Sequence, residues 1–190
     1  MDTPVKTENK LHPKELMLWL YLATTAMLFA GFTSAYLVQR FNQSWKTFDI
    51  PLIFWVNTLV LGASSLTFIY GYRGLRQENP WQLQVGLMAT FGLGMLFLLG
   101  QVVGWQMLAR NGIFLAGSHR GASYFYVLTA LHALHLAAGI IIIGYWMIRA
   151  LRYKVGISSL LGLRLAGLFW HALDILWLYL VVFLQVNQLL

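Results

Sequence analysis

The sequence predicts an all-α protein that crosses a membrane five times, and three observations lead to this fold class. Of its 190 residues, 59% are hydrophobic and only 10% are charged, whereas about 25% of the residues of a soluble domain are charged. Five apolar runs each reach the ~20 residues that a helix needs to cross a bilayer. The linkers between the runs are short and carry most of the charges. The predicted spans are residues 16–38, 51–70, 85–108, 123–148 and 165–186.

A polar tail, residues 1–15, precedes the first span and contains two prolines and charges of both signs. Three lysines followed by an apolar run are also typical of a secretory signal peptide. The run over residues 16–38 is longer than the ~7–15 residues of a signal-peptide core. We therefore interpret it as an uncleaved first span, and residues 16–190 as one transmembrane domain.

Small residues and a proline characterise the first three spans. Pro51 opens the second span, where a helix tolerates proline because the N–H groups of a first turn have no helical partner. Gly100 and Gly104 form a small-xxx-small pair in the third span, and Gly31 and Ala35 form another in the first. Such pairs let membrane helices approach closely, so we expect a packed bundle.

The basic residues predict the orientation of this bundle. With alternating spans, nine Lys and Arg residues fall on the side of the N-terminus and four on the other side. Positively charged loops stay inside, so the N-terminus is predicted inside and the C-terminus outside. The net charge of +7 therefore reflects topology, and no nucleic-acid partner is expected. The nine are Lys6, Lys10, Lys14, Arg73, Arg76, Arg149, Arg152, Lys154 and Arg164; the four are Arg40, Lys46, Arg110 and Arg120.

The chain contains no cysteine, which excludes disulfides, thiolate-bound metals and iron–sulfur clusters. Any redox cofactor would therefore have to bind histidine. The sequence also lacks a phosphate-binding glycine loop, a Gly-x-Ser-x-Gly motif and a His-Glu-x-x-His motif. Neither hydrolysis nor phosphoryl transfer is expected.

The fifth span places an imidazole and a carboxylate inside an apolar helix. His171 and Asp174 are three residues apart and share a helix face, along which Trp170 and Trp177 also lie. A charged group deep in a bilayer costs at least a few kcal/mol, so such residues normally face other helices and find partners. We expect this face to dock on a neighbouring helix.

The fourth span offers a natural partner, because His132 and His135 are three residues apart within it. We expect the two spans to face each other through one polar cluster. In one interpretation the cluster forms interhelical hydrogen bonds, worth ~0.6 kcal/mol each in a membrane. In the other it is a metal or haem site. The cluster comprises His132, His135, His171, Asp174, Trp170 and Trp177.

Two spacings carry a resemblance to a known family. They are Trp170-His171-x-x-Asp174-x-x-Trp177 and the preceding Thr129-x-x-His132-x-x-His135-x-x-x-Gly139. Together they closely resemble the last helices of cytochrome c oxidase subunit III, where a Trp-His-Phe-Val-Asp-Val-Val-Trp stretch follows a His-Gly-Leu-His helix. Earlier spans are similar in the same order, through Leu28-Phe29-Ala30-Gly31, Asn57-Thr58 with Ser64-Ser65, and Thr90, Gly94, Phe97 and Gln101. The resemblance extends from residue 16 to the C-terminus.

The resemblance implies a five-helix bacterial form of a family whose members usually have seven helices. It implies a non-catalytic subunit of a proton-pumping haem-copper oxidase of aerobic respiration in the bacterial cytoplasmic membrane, which supports the stability, lipid binding and proton uptake of the catalytic subunit. The expected partners are catalytic subunit I, which binds haem and copper, subunit II, and phospholipid. Two positions depart from the family: its membrane glutamate falls at Thr25, and its Glu-Trp pair reads Gly104-Trp105. Roles of those carboxylates are not carried over.

Three residues are candidates for lipid binding, and none is expected to be catalytic or to bind a metal. Arg149 lies where the family has an arginine that holds a phospholipid headgroup, and a guanidinium suits phosphate. Arg40 and Trp105 are the other two. An alternative function is a stand-alone b-type cytochrome or haem-bearing membrane anchor, with His132 or His135 and His171 as haem ligands. Cytochrome c and quinol are both open as the electron donor.

Overall fold

The computed structural model describes residues 12–41, 48–115 and 120–189, and these residues form long helices. Each of the five is long and apolar enough to cross a membrane, and the described ranges contain no β-strand. A short 3-10 turn, Ile157–Ser159, precedes the last helix. The prediction of an all-α protein with five membrane helices is confirmed. The helices are α1 (Pro13–Arg40), α2 (Ile53–Arg76), α3 (Pro80–Arg110), α4 (Arg120–Leu151) and α5 (Leu160–Leu189).

Each helix extends beyond its predicted span at one or both ends, and at the starts of α1 and α3 a side-chain cap lies among the polar residues outside the apolar run. The side chain of His12 accepts a hydrogen bond from the backbone N–H of Lys14 at the start of α1. At the start of α3 the side chain of Asn79 accepts a hydrogen bond from the backbone N–H of Gln82. Helix α3 therefore begins in the polar residues that precede the predicted span. Pro51 is the exception: it lies before α2, whose first residue is Ile53.

A glycine seam joins α2 to α3 along most of their length. A Cβ atom on Gly86 would collide with the backbone of Gly71, and one on Gly74 would lie 2.7 Å from the backbone nitrogen of Leu83. Farther along, a Cβ atom on Gly104 would lie 2.6 Å from the Phe54 ring. Backbone meets backbone at Gly71, Gly74 and Gly86, and the Phe54 ring fills the space beside Gly104. As a result α2 and α3 form the most closely packed pair of the described helices.

The predicted small-residue pairs behave differently. Gly100 and Gly104 both face α2, with Gly100 against the side chain of Asn57. Gly31 of α1 is exposed, and a Cβ atom there would have nothing within 4 Å. The expectation that Gly31 lets α1 approach another helix closely is therefore wrong. Periodicity identifies a face of small residues but not whether another helix covers it.

The fifth helix packs against α2 and α4 and also contacts α1. Trp170, which is fully buried, fits into space left by two glycines. A Cβ atom on Gly94 of α3 would lie 2.9 Å from its ring, and one on Gly139 of α4 would lie 3.2 Å from it. The core around Trp170 and Trp177 is thus built from the same face that carries His171 and Asp174.

The first helix runs parallel to α5 and is tied to it near both ends. Glu15 lies 3.4 Å from the guanidinium of Arg164 at one end. At the other end Arg40 donates a hydrogen bond of 2.9 Å to the side-chain oxygen of Asn187. Between these ties α1 packs on α4 and α5. Of an 18-residue apolar stretch of each helix, however, only 17% is buried in α1, against 44% in α4 and in α5. Much of its surface is left to lipid or a partner.

Candidate functional site

The polar face of α5 meets hydroxyl groups of α2. The indole N–H of Trp170 donates to the Ser64 hydroxyl at 3.0 Å. The indole of Trp177 donates to Thr58 at 3.1 Å. A buried indole usually finds a hydrogen-bond partner, and both do so here on the same neighbouring helix.

Ser65 of α2 joins His171 to Asp174. Its hydroxyl donates to Oδ2 of Asp174 and lies 2.7 Å from Nδ1 of His171. His171 Nδ1 lies 3.9 Å from Asp174 Oδ2, with the imidazole side chain 34% exposed and the carboxylate 13% exposed. Oδ1 of Asp174 is buried without a hydrogen-bond partner among the described residues.

This arrangement corrects the prediction that His171 and Asp174 bond to the helix carrying His132 and His135. The shared face was identified correctly, but its hydrogen bonds go to α2. Its contacts with α4 are packing contacts, of Trp177 with His132 and of Trp170 with Gly139. A signal was present in the sequence: Thr58 and Ser64, the partners of Trp177 and Trp170, are six residues apart, close to the seven residues between the two tryptophans. Hydroxyls are common in helix-packing surfaces, so this signal did not distinguish a partner from ordinary packing.

The two histidines of α4 occupy separate environments. His132 is fully buried, with its ring 5.0 Å from that of Trp177 and 5.9 Å from that of Phe97. Neither ring nitrogen has a hydrogen-bond partner among the described residues. His135 bonds through Nδ1 to the carbonyl of Leu131 at 2.8 Å, and its ring lies 5.7 Å from Phe29 of α1. The six residues predicted as one cluster therefore do not form one.

The geometry does not favour haem or metal ligation. Among the described residues, no group of three or more His, Cys, Asp and Glu side chains could hold a metal ion. His171 is held by Ser65 and packs edge-on against Phe68 of α2, whereas His132 packs on α3 and α5. The pair does not converge on a shared cavity, because the groove that His171 lines is formed by α2 and α5.

The three lipid-binding candidates all contact other parts of the chain. Arg149 donates to the hydroxyl of Tyr145 at 2.9 Å and to the carbonyl of Lys154 at 3.0 Å. Its guanidinium also lies 5.5 Å from the centre of the Trp146 ring. Trp105 donates from its indole to Thr129 at 3.1 Å, and Arg40 bonds Asn187. Of the three, Arg149 is the one whose partners form an aromatic and basic surface at a helix end.

Two apolar grooves flank α1. One, of about 370 Å³, lies between α1, α4 and α5 and includes Tyr21 and Phe169. The other, of about 500 Å³, lies between α1 and α5 and includes Thr25 and Tyr179. Both follow from the loose packing of this helix, and both have the apolar lining that acyl chains require.

Replacing Asp174 should be tolerated better with leucine than with alanine. Leucine retains the volume of the side chain without its polar atoms, whereas alanine leaves a cavity, and cavities in cores cost roughly 2–5 kcal/mol. Either change also frees the Ser65 hydroxyl, which can return to a carbonyl of its own helix. Thermal unfolding of the two variants in detergent measures the difference. Equal unfolding temperatures, or a more stable alanine variant, would contradict the packing role assigned to Asp174.

Comparison with known proteins identifies the family. The family model of cytochrome c oxidase subunit III matches residues 14–187. Cytochrome c oxidase subunit 3 of Bacillus subtilis is 28% identical over 190 residues, covering 96% of this chain and 91% of that one. Cytochrome bo(3) ubiquinol oxidase subunit 3 of Buchnera aphidicola is 29% identical over 195 residues, covering 96% of each chain.

A third relative joins two subunits in one polypeptide. The haem-copper oxidase subunit I+III of Aeropyrum pernix is 26% identical over 195 residues, which are 93% of this chain and 23% of that protein. The family match covers most of the chain and includes all the residues of the polar face of α5. The chain therefore belongs to the cytochrome c oxidase subunit III family and is a non-catalytic membrane subunit of a haem-copper oxidase.

Proposed function

We propose that this chain binds catalytic subunit I, together with subunit II, in the bacterial cytoplasmic membrane and stabilises that complex through helix packing and bound phospholipid. The relative named subunit I+III supports subunit I as the partner, because a region similar to 93% of this chain belongs there to the same polypeptide. The observation that carries the supporting role is the composition of the core. Among the described residues, the carboxylate well inside a membrane helix is that of Asp174; it is bonded to Ser65 and belongs to no group that could hold a metal ion.

We place the N-terminus inside and the C-terminus outside. The salt bridge between Glu15 and Arg164 supports one part of this arrangement, since it puts the starts of α1 and α5 on the same side. The ends of α2 and α4 reach that side as well, because consecutive helices alternate in direction. These ends carry Arg73, Arg76 and Arg149. Basic residues concentrated at one side favour the cytoplasm for that side.

Removing the subunit tests the proposed function directly. The oxidase assembled without this chain should keep its haem absorption spectrum and its initial activity, and should lose activity several-fold sooner during turnover. This result is expected because haem and copper belong to partner subunits, whereas packing and lipid protect the assembled protein. An unchanged active lifetime would contradict the proposal. A Soret band from this chain purified alone would instead favour the b-type cytochrome.

Arg149 should contribute to phospholipid binding at the inner end of α4. A guanidinium pairs strongly with phosphate. The rings of Tyr145 and Trp146 lie next to the guanidinium of Arg149, at the end of α4 that we place at the inner membrane surface. We expect Arg149→Gln to remove about one tightly bound phospholipid from the purified complex, counted by mass spectrometry of extracted lipid. Arg152→Gln is the matched control, because Arg152 is exposed beyond the same helix. An unchanged lipid complement with intact topology would contradict the role of Arg149.

A further inference from the structure

A stripe of side chains runs along the outer face of α5. Its members follow one another at intervals of three and four residues, so they share one face of the helix. Ile175 is 70% exposed and Leu178 is 50% exposed. The stripe extends over about 21 Å, at 1.5 Å per residue. We call it the α5 stripe, and it consists of Leu168, His171, Ile175, Leu178 and Val182.

One member of the α5 stripe is polar. The side chain of His171 is 34% exposed and lies near the middle of the helix. Its Nδ1 lies 2.7 Å from the hydroxyl of Ser65, whereas no described residue forms a hydrogen bond with Nε2. Whichever ring nitrogen carries the proton, Nε2 is a donor or an acceptor. The described chain therefore leaves one hydrogen-bonding group of this stripe without a partner.

The hydrocarbon chains of lipid offer no hydrogen bond to this nitrogen. A polar group removed from water without a hydrogen bond costs free energy, so a histidine within a bilayer normally faces protein or a water-filled cavity. Hydroxyl groups on a helix surface avoid this cost by bonding to their own helix, as Thr24 does with the carbonyl of Tyr21. The Nδ1 of His171 is turned to Ser65 instead. Whatever covers the α5 stripe is thus apolar along most of its length and polar at one depth.

We propose that a transmembrane helix of catalytic subunit I packs on the α5 stripe, with a hydroxyl or amide side chain of that helix bonded to Nε2 of His171. The assignment rests on the proposed function, which supplies subunit I as the partner. A helix suits the stripe, because apolar residues spaced by three and four are the pattern along which two helices pack. Ser, Thr, Asn and Gln side chains both donate and accept, so each of them pairs with either tautomer of the imidazole.

The groove between α2 and α5 provides space for that side chain. Its volume is about 210 Å³, and His171 lines it together with Leu168 of the α5 stripe and with Ile69 and Tyr72 of α2. A side chain that enters this groove from the partner helix meets the imidazole at the surface of the bundle. The proposed contact therefore requires no separation of α2 from α5.

Photo-cross-linking in membranes that contain the assembled oxidase tests the position of the partner. A benzophenone amino acid replaces Ile175 in one variant and Leu134 of α4 in the other. Leu134 is the matched control, since it is 67% exposed. It is two residues from His132, whose ring packs on Trp177 of α5, so it lies at a similar depth but on the far side of α4. We expect the variant at Ile175 to cross-link to subunit I and the variant at Leu134 not to do so.

Peptide mapping of the cross-link tests the chemistry of the contact. Because Ile175 lies one turn from His171, the labelled helix of subunit I should contain Ser, Thr, Asn or Gln within about one turn of the attachment point. A labelled helix without such a residue would overturn the proposal, as would attachment of Ile175 only to lipid or to a second copy of this chain. If subunit I did not co-purify with the unaltered chain, the proposed function would fail as well. Co-purification with a cross-link from Leu134 in place of Ile175 would overturn only the position of the interface.

Replacing the imidazole tests the hydrogen bond itself. His171→Phe keeps an aromatic ring and removes Nε2, so this subunit should leave the purified oxidase about three- to tenfold faster in detergent, the effect of one lost hydrogen bond. Leu134→Phe is the matched control and should leave the release rate unchanged. The thermal unfolding of each variant in detergent shows whether it is folded. An unchanged release rate for folded His171→Phe would contradict the role of the imidazole.

Discussion

The Gly86→Leu substitution should greatly reduce the yield of folded protein. The glycine of α3 lies directly against the backbone of Gly71 in α2, and a Cβ atom there would also lie 2.9 Å from the carbonyl oxygen of Thr67. Overpacking a core costs roughly 1–3 kcal/mol when side chains can yield. Here the neighbours are backbone atoms, so the helices themselves must separate, and we expect the upper end of that range or more.

The measurement is the yield of monodisperse protein and its thermal unfolding temperature in detergent. A loss of about 3 kcal/mol corresponds to a decrease of roughly 6–12 °C for a chain of this size. Gly62→Leu is the matched control, because Gly62 lies on the same helix as Gly71 but a Cβ atom there has nothing within 4 Å. If Gly86→Leu and Gly62→Leu unfolded at the same temperature, the glycine seam would not be what joins α2 to α3.

Thr25→Glu should introduce into α1 a carboxyl group that hydrophobic carbodiimides label, whereas the unaltered helix should not be labelled. Thr25 is 7% exposed and lines the groove of about 500 Å³ between α1 and α5. One turn to either side, Tyr21 and Phe29 contact the ring of His135. A glutamate at this position would have space in the groove and an imidazole close by, so it could exchange a proton and react with the reagent.

Peptide mapping of the labelled oxidase complex measures this change. Unmodified α1 should give no labelled peptide, because Glu15 lies at its start and no other acidic residue occurs within it. Thr33→Glu serves as the control, since the Thr33 hydroxyl is engaged by Phe29 and Tyr179 and a glutamate there should destabilise the helix packing rather than react. Labelling of Asp174 in the unaltered chain with loss of pumping would contradict the packing role that we assign to its side chain.

The sequence alone was sufficient to predict the five membrane helices and the polar character of one face of α5. Hydropathy placed all five spans, because a membrane helix must be apolar over the thickness of the bilayer whatever its neighbours are. Helical spacing placed Trp170, His171, Asp174 and Trp177 on one face, since that geometry depends only on the residue repeat of the helix. All four side chains do meet the same neighbour.

Which helix that neighbour is could be decided only by the tertiary structure. Periodicity fixes where a side chain points relative to its own helix axis, but the order of helices around the bundle depends on close approaches between distant residues. The glycine seam at Gly71 and Gly86 brings α2 and α3 together, and Trp170 enters the space left by Gly94 and Gly139. These contacts set Ser65 beside His171, whereas His132 meets the same face only through the ring of Trp177 and His135 packs on Phe29 of α1. Packing rather than matching polarity therefore selects the partners.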